Sequence, residues 1–212
     1  MQWEDLCRYA DQMLFRSLTH NPQGGCAMEQ TVISGMVNGV DVDRMGDTIK
    51  AINGNPGLAK FQFRLENRWI NGSRNQSTIK GFSGAGLEAL RQEPFALQAD
   101  EPMVLLGQDT APNPAEYVLQ ALASCLTTSL VYHAAARGIR IEEVESKLEG
   151  DLDLHGFLGL SDEIRRGYQN VRVSFTVKSD ASAATLQELC KYSPVFDIIS
   201  NPVPVSISVE MK

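Results

Sequence analysis

Nothing in this sequence offers a sustained run of positive charge. Among its 212 residues 19 are Lys or Arg and 26 are Asp or Glu, giving a formal net charge of −7. No basic cluster is long enough to follow a phosphate backbone, which argues against a nucleic-acid partner. Long apolar runs are also missing: none approaches the roughly 18 to 20 residues that cross a bilayer. The opening Trp3-Glu4-Asp5 lacks the basic flank and apolar stretch of a secretory signal. These absences imply a cytoplasmic protein with no membrane partner. Cysteine is scarce and scattered, with Cys7, Cys26, Cys125 and Cys190 showing no C-x-x-C spacing, so neither a zinc ribbon nor a thioredoxin-like motif is present. In a reducing compartment such thiols ordinarily pack as small hydrophobes. No metal or nucleotide motif, internal repeat or low-complexity tract appears, and no cofactor is expected.

What is there is enough apolar material, 43% of the chain, to bury a substantial core in one principal domain. Trp3, Leu6, Cys7, Ala10, Met13, Leu14 and Leu18 recur at helical spacing, and Asn21-Pro22-Gln23-Gly24-Gly25 ends that helix. A second short helix is expected over Asp41–Ile52. From Lys60 to Trp69, Phe61, Phe63 and Leu65 alternate with Gln62, Arg64 and Glu66. The Asn71-Gly72 turn then leads into Ser77–Phe82, which predicts a β-hairpin. Further strands are expected at Phe95–Gln98 and Met103–Leu106, then at Ile141–Leu154, Val171–Val177 and Val203–Glu210. A helix over 182–192 must end before Pro194, and Ser193 caps a short one after it.

The most informative element lies between. Asn113 suits an N-cap, Pro114 the first helical position, and Glu116 stands where its carboxylate reaches back to the cap amide. Ala115–Arg137 has no Gly or Pro, and Gly138 stops the helix in the usual position. The helix is about 35 Å long. Its middle, Ala121 to Val131, has no charged residue on any face, so it should be buried on all sides and too apolar for one chain to cover.

Three pieces together resemble the OsmC/Ohr (osmotically inducible, organic-hydroperoxide-resistance) family. They are Asn113-Pro114-Ala115-Glu116-Tyr117, Ala121-Leu122-Ala123-Ser124-Cys125, and Ser193-Pro194-Val195 some 70 residues later. The resemblance runs from about Asn38 to Lys212 and is to the longer OsmC-like members. It leaves residues 1–35 as an N-terminal extension and 36–212 as the OsmC-like domain. It implies an α+β fold in which long central helices are enclosed by antiparallel sheets from both chains of an intertwined homodimer, with thiol sites at the subunit interface. In the peroxidatic members a first cysteine reduces the peroxide, a second resolves it as a disulfide, an Arg and a Glu assist, and a dithiol reductant resets the site.

Carried over residue by residue, the resemblance makes Cys125 the peroxidatic thiol. The second cysteine's position, directly before Pro194, holds Ser193, which cannot form a disulfide and whose simpler role is capping. The carboxylate position after Asn-Pro holds Ala115. Glu116 is one residue, about 100° of helix, too late. The arginine should come from the first hairpin, where Arg68 and Arg74 are the candidates. Cys190 lies one helical turn before Ser193 and could replace the missing resolving thiol or simply pack between Leu186, Leu189 and Tyr192. His133 reads as a hydrogen-bonded helix residue, and His155 has no identifiable partner. A thiol in mid-helix is beyond the helix dipole's reach, and burial disfavours a thiolate. Without the carboxylate and the second cysteine, turnover should be slow, and in a one-cysteine mechanism an external thiol would attack the sulfenic acid. Two functions follow from the resemblance: thiol-dependent reduction of organic hydroperoxides, or a non-catalytic dimer that binds a small lipophilic ligand at its interface.

Overall fold

The computed structural model describes residues 33–211, so the helix expected over 3–18, Cys7 and Cys26 lie outside the described residues. The fold is α+β with antiparallel sheets, as expected. The chain divides into two units, described separately: one runs to Val118 and takes in Ala136–Gly138, and the other comprises Leu119–Ala135 and the residues from Ile139 onward.

In the first unit the short strands β1 (Met36–Val37) and β2 (Val40–Asp41) pair and lead into helix α1 (Val42–Gly54). Asp41 caps α1 by accepting the Arg44 amide at 3.0 Å. A four-stranded sheet follows. Its long central strand β5 (Arg74–Gly84) pairs with β3 (Gln62–Phe63) and β4 (Glu66–Asn71) on one side and with β6 (Leu87–Ala99) on the other. The predicted hairpin is β4–β5, with Asn71 opposite Arg74 and Gly72 at φ +57°, a left-handed conformation that favours glycine. The strand expected at Phe95–Gln98 is the end of β6.

The strand expected at Met103–Leu106 is absent. Met103–Leu105 is a 3-10 turn, and Leu106 is left-handed at φ +66°. The cause is Asp100, whose carboxylate is only 1% exposed. It accepts hydrogen bonds from Ser73 Oγ (2.6 Å), Thr110 Oγ1 (2.8 Å) and the amides of Glu101, Gln108 and Thr110. Five donors converging on one side chain bend residues 101–110 around it, overriding their apolar strand pattern. Those bonds hold the Asp100 carboxyl well below the usual carboxylate range, the Ser73 hydroxyl contributing most. Burial beside that charge pushes the Glu101 carboxyl up.

Helix α2 (Pro114–Ala135) begins as the sequence predicts. Asn113 Oδ1 accepts the Glu116 amide and Glu116 Oε2 accepts the Asn113 amide, each at 2.8 Å, a closed capping box. At the other end Gly138 is left-handed at φ +68° and the Ile139 amide reaches back to Ala134 O at 3.0 Å, satisfying a terminal carbonyl. At 22 residues with one acidic side chain, α2 is long and apolar enough to cross a membrane by length and composition alone. That corrects the expectation that nothing in the chain reaches this length, although the core helix of a soluble protein meets the same test.

In the second unit β7 (Ile141–Asp151) and β8 (Asn170–Ser179) form a hairpin, with Val144 opposite Val177 and Leu148 opposite Val173. Strand β7 ends three residues earlier than expected, because Asp153 accepts the His155 amide (2.9 Å) and starts the short helix α3 (Leu154–Phe157). Helices α4 (Ala183–Cys190) and α5 (Pro194–Ser200) follow β8, capped by Ser182 and Ser193. Leu130 and Ala134 of α2 pack with Leu186 and Leu189 of α4, and Ile141, Val144 and Val177 close over them. The last strand expected, Val203–Glu210, does not form: residues 202–211 carry no regular structure. Alternation specifies a strand only where it pairs with a sheet edge, and this segment joins none among the described residues.

Candidate functional site

Cys125 sits in the middle of α2, directly before Leu126. It is a half-buried free thiol. The helix is not buried all round in the single chain. Leu122, Leu126, Ser129, Leu130, Ala134 and Ala135 are buried, while Ala121, Ser124, Thr128 and Tyr132 form an exposed stripe at three- and four-residue spacing. Cys125 lies between the two faces.

Cys190 is the last residue of α4, also a half-buried free thiol, packed against the core of Leu130, Leu186 and Leu189. Desolvation by burial pushes its thiol up. Its carbonyl accepts the Ser193 amide at 3.1 Å. Ser193, 1% exposed, accepts the Phe196 amide on Oγ at 3.1 Å, which is the capping role read from the sequence. Glu116 is spent in its capping box.

Both thiols belong to the second unit and both candidate arginines to the first. Arg68, on β4, is exposed and donates to Gln76 Oε1 at 3.2 Å. Arg74 opens β5 and is half-buried. Among the described residues neither pairs with a carboxylate. Two features escaped the sequence reading. Asp153 Oδ1 lies 2.7 Å from His155 Nδ1, giving the unassigned histidine a carboxylate partner, which the Asp-x-His spacing at a helix cap could have signalled. The Arg91 guanidinium stacks between the rings of Phe82 (5.6 Å) and Phe95 (5.0 Å), a pairing across the strands that no local pattern announces. His133 stacks on Tyr192 with ring centroids 4.2 Å apart. Among the described residues no group of three or more His, Cys, Asp or Glu could hold a metal ion.

The second unit contains a half-open cavity of about 530 Å³, within the range of small-molecule sites. Leu126 and Leu130 of α2, Phe175 and Val177 of β8, Leu186 of α4 and Phe196 of α5 make it apolar, and Cys190, Gln187 and Lys191 add polar groups to its wall. Cys125 is not among its lining residues, though its neighbour Leu126 is. The cavity can hold an apolar molecule beside one thiol.

Residues 107–208, a stretch that contains Cys125, Cys190 and Ser193 but not Arg68 or Arg74, match the family model for OsmC-like protein. Similar solved structures include an OsmC-like protein from Mycoplasma pneumoniae, 14% identical, with a TM-score of 0.49 over 66% of this chain and 89% of that one. Another is an organic hydroperoxide resistance protein OsmC from Legionella pneumophila, 16% identical, with a TM-score of 0.45 over 66% of this chain and 90% of that one. A third, from Vibrio cholerae, is an OsmC-like protein of unknown function, 16% identical, with a TM-score of 0.45 over 67% and 93%. No curated protein matches the chain.

Proposed function

We propose that this protein is a cytoplasmic homodimer that reduces small organic hydroperoxides through Cys125, with the oxidised cysteine reset by an external dithiol. The observation that carries the reading is a free, half-buried thiol at the family's peroxidatic position, in the uncharged middle of the capped helix α2. The thiolate sulfur takes the terminal OH of the hydroperoxide: an S–O bond forms, the O–O bond breaks, and the alkoxide leaves and is protonated to the alcohol. Cys125 is thereby oxidised by two electrons to a sulfenic acid. One thiol of the reductant attacks that sulfur and expels water. Its second thiol then displaces Cys125, releasing a cyclic disulfide and regenerating the protein thiol. Cys190 takes the resolving part only if its Cα and that of Cys125 come within about 7 Å.

An exposed face of α2 supports the dimer in this reading. The exposed stripe of Ala121, Ser124, Thr128 and Tyr132 on an otherwise core-forming helix is a surface that a second copy would cover. The test is peroxide consumption with alkyl and hydrogen peroxide, a dithiol present, by the wild type and Cys125→Ser. Activity on the alkyl substrate that disappears in the variant is the expected result.

A second reading, binding of a lipophilic ligand without turnover, draws on the apolar cavity beside Cys190 and on Ala115 and Ser193 standing where a carboxylate and a thiol would assist. Saturable binding of an apolar probe, with no peroxide consumption and an unmodified Cys125, would favour it.

A further inference from the structure

The four-stranded sheet of the first unit carries a cation without a counter-charge among the described residues. Arg91, on β6, has one guanidinium nitrogen that is buried with no hydrogen-bond partner, the only such side-chain nitrogen or oxygen among the described residues. It forms no ion pair among those residues, and Glu88 on the same strand is taken by Arg64. A buried charged donor left unpaired is costly. The rings of Phe82 and Phe95 lie 5.6 and 5.0 Å from the guanidinium and occupy its faces, which leaves the edge of its plane for a partner. Around it is an aromatic surface. Phe63 and Phe61 lie against Phe82 with ring centroids 5.8 and 6.2 Å away. Phe61 is held over Gly84, where any side chain would collide with its ring. Phe61, Phe63 and Phe95 are nevertheless 51%, 76% and 57% exposed. A preformed aromatic face with an unpaired cation in it fits an occupant that brings apolar side chains and a carboxylate together.

We infer that the occupant is the chain's own segment 3–18, outside the described residues, which lays its stripe of Trp3, Leu6, Leu14 and Leu18 on this face and sets Glu4 or Asp11 against Arg91. Glu4 and Asp11 stand seven residues apart, two helical turns, so at helical spacing they share the edge of the stripe beside Cys7, Leu14 and Leu18. Asp5 falls on the far side of the same helix. Phe95 is more than half exposed, so its ring can turn to let a carboxylate oxygen reach the buried nitrogen. The stretch from Leu18 to Ile33 spans about 50 Å when extended, more than the thirteen-residue β6, which is reach enough for the sheet. Tethering gives the segment a roughly millimolar effective concentration. A dissociation constant a few-fold below that seats it most of the time while raising the folding equilibrium only a few-fold, so the sheet stands without it. A second copy meeting this face through the same surface would instead bring two unpaired guanidinium groups together. The inference is independent of the chemistry proposed for Cys125.

The test places the photo-crosslinker p-benzoylphenylalanine at Phe63 in the full chain. A link to a peptide within residues 1–20, in a product with the mass of one chain, is expected. The same link at the mass of two chains, a link to any other peptide, or no link overturns the inference. With the probe in place, Glu4→Gln combined with Asp11→Asn should lower the yield of the link on the order of fivefold or more, whereas Asp5→Asn should leave it unchanged. Equal yields overturn the pairing with Arg91. A measurement without the probe uses anilinonaphthalene sulfonate, an aromatic anion suited to the bared face. In the full chain, Leu6→Asp with Leu14→Asp should raise its bound fluorescence severalfold, and adding Arg91→Gln should remove most of that rise. No rise, or a rise that ignores Arg91→Gln, contradicts the proposed cover.

Discussion

Exchanging Ser193 for cysteine sets the structural role of that side chain against its chemical one. Ser193 is 1% exposed and its Oγ accepts the Phe196 amide at 3.1 Å, capping α5. Sulfur is a weak acceptor of similar shape, so Ser193→Cys removes most of the cap without opening a cavity. Losing a Ser cap costs about 1 kcal/mol, with a range of roughly 0.5 to 2. For a chain of this size that lowers the melting temperature by about 2 to 4 °C. The reduced variant should show that drop by calorimetry, and Ser193→Ala should show a similar one. With one equivalent of alkyl hydroperoxide and no reductant, Ser193→Cys should form a disulfide between Cys125 and the introduced thiol, found as a linked peptide pair after digestion. The wild type should not do this at position 193. An unchanged melting temperature refutes the capping argument. A normal drop with no linked pair shows that position 193 is out of reach of Cys125, and the carried-over geometry of the thiol site is then wrong.

Leu130→Ala removes the most buried leucine of the α2–α4 core and should destabilise the fold by about 2 to 5 kcal/mol, read from denaturant unfolding; a loss under about 1 kcal/mol would contradict the core assignment. Asp100 has a folded-state pKa below its unfolded value, so its stabilisation is fully present at neutral pH and is lost as pH falls below about 4. Thermal melts from pH 7 to pH 3 should therefore show the wild type losing its advantage over Asp100→Asn as the pH drops, and a constant gap would remove the argument. Deleting residues 1–35 should leave a dimer with nearly the full chain's melting temperature, because the family resemblance begins only near Asn38; a large loss would make the Trp3–Leu18 segment part of the core.

The parts of the fold that were legible in the sequence are those fixed by local chemistry. Asn113, Pro114, Glu116 and Gly138 bound α2 by capping and backbone constraints that act within one turn, and Asn71-Gly72 marks its hairpin for the same reason. The misreadings share the opposite cause. Met103–Leu106 has strand-like residues, but the Asp100 carboxylate, gathering donors from residues 73 to 110, decides their path. Val203–Glu210 has a clear strand pattern but joins no sheet among the described residues. The uncharged middle of α2 is a different case: the pattern predicts burial on every side with more than one chain covering it, and a single chain covers one face. At the site, Cys125, Cys190 and the cap of Ser193 were visible in sequence. The cavity beside Cys190 was not, because its walls come from α2, β8, α4 and α5, elements separated by up to 70 residues.

The central claim is that Cys125 is the thiol that peroxide oxidises. It is tested most directly by treating the protein with one equivalent of alkyl hydroperoxide in the presence of dimedone, which traps sulfenic acids, and mapping the adduct by mass spectrometry. The account predicts dimedone on Cys125 in the wild type and no adduct at position 125 in Cys125→Ser. An unmodified Cys125 with adducts on Cys7 or Cys26 instead would contradict it.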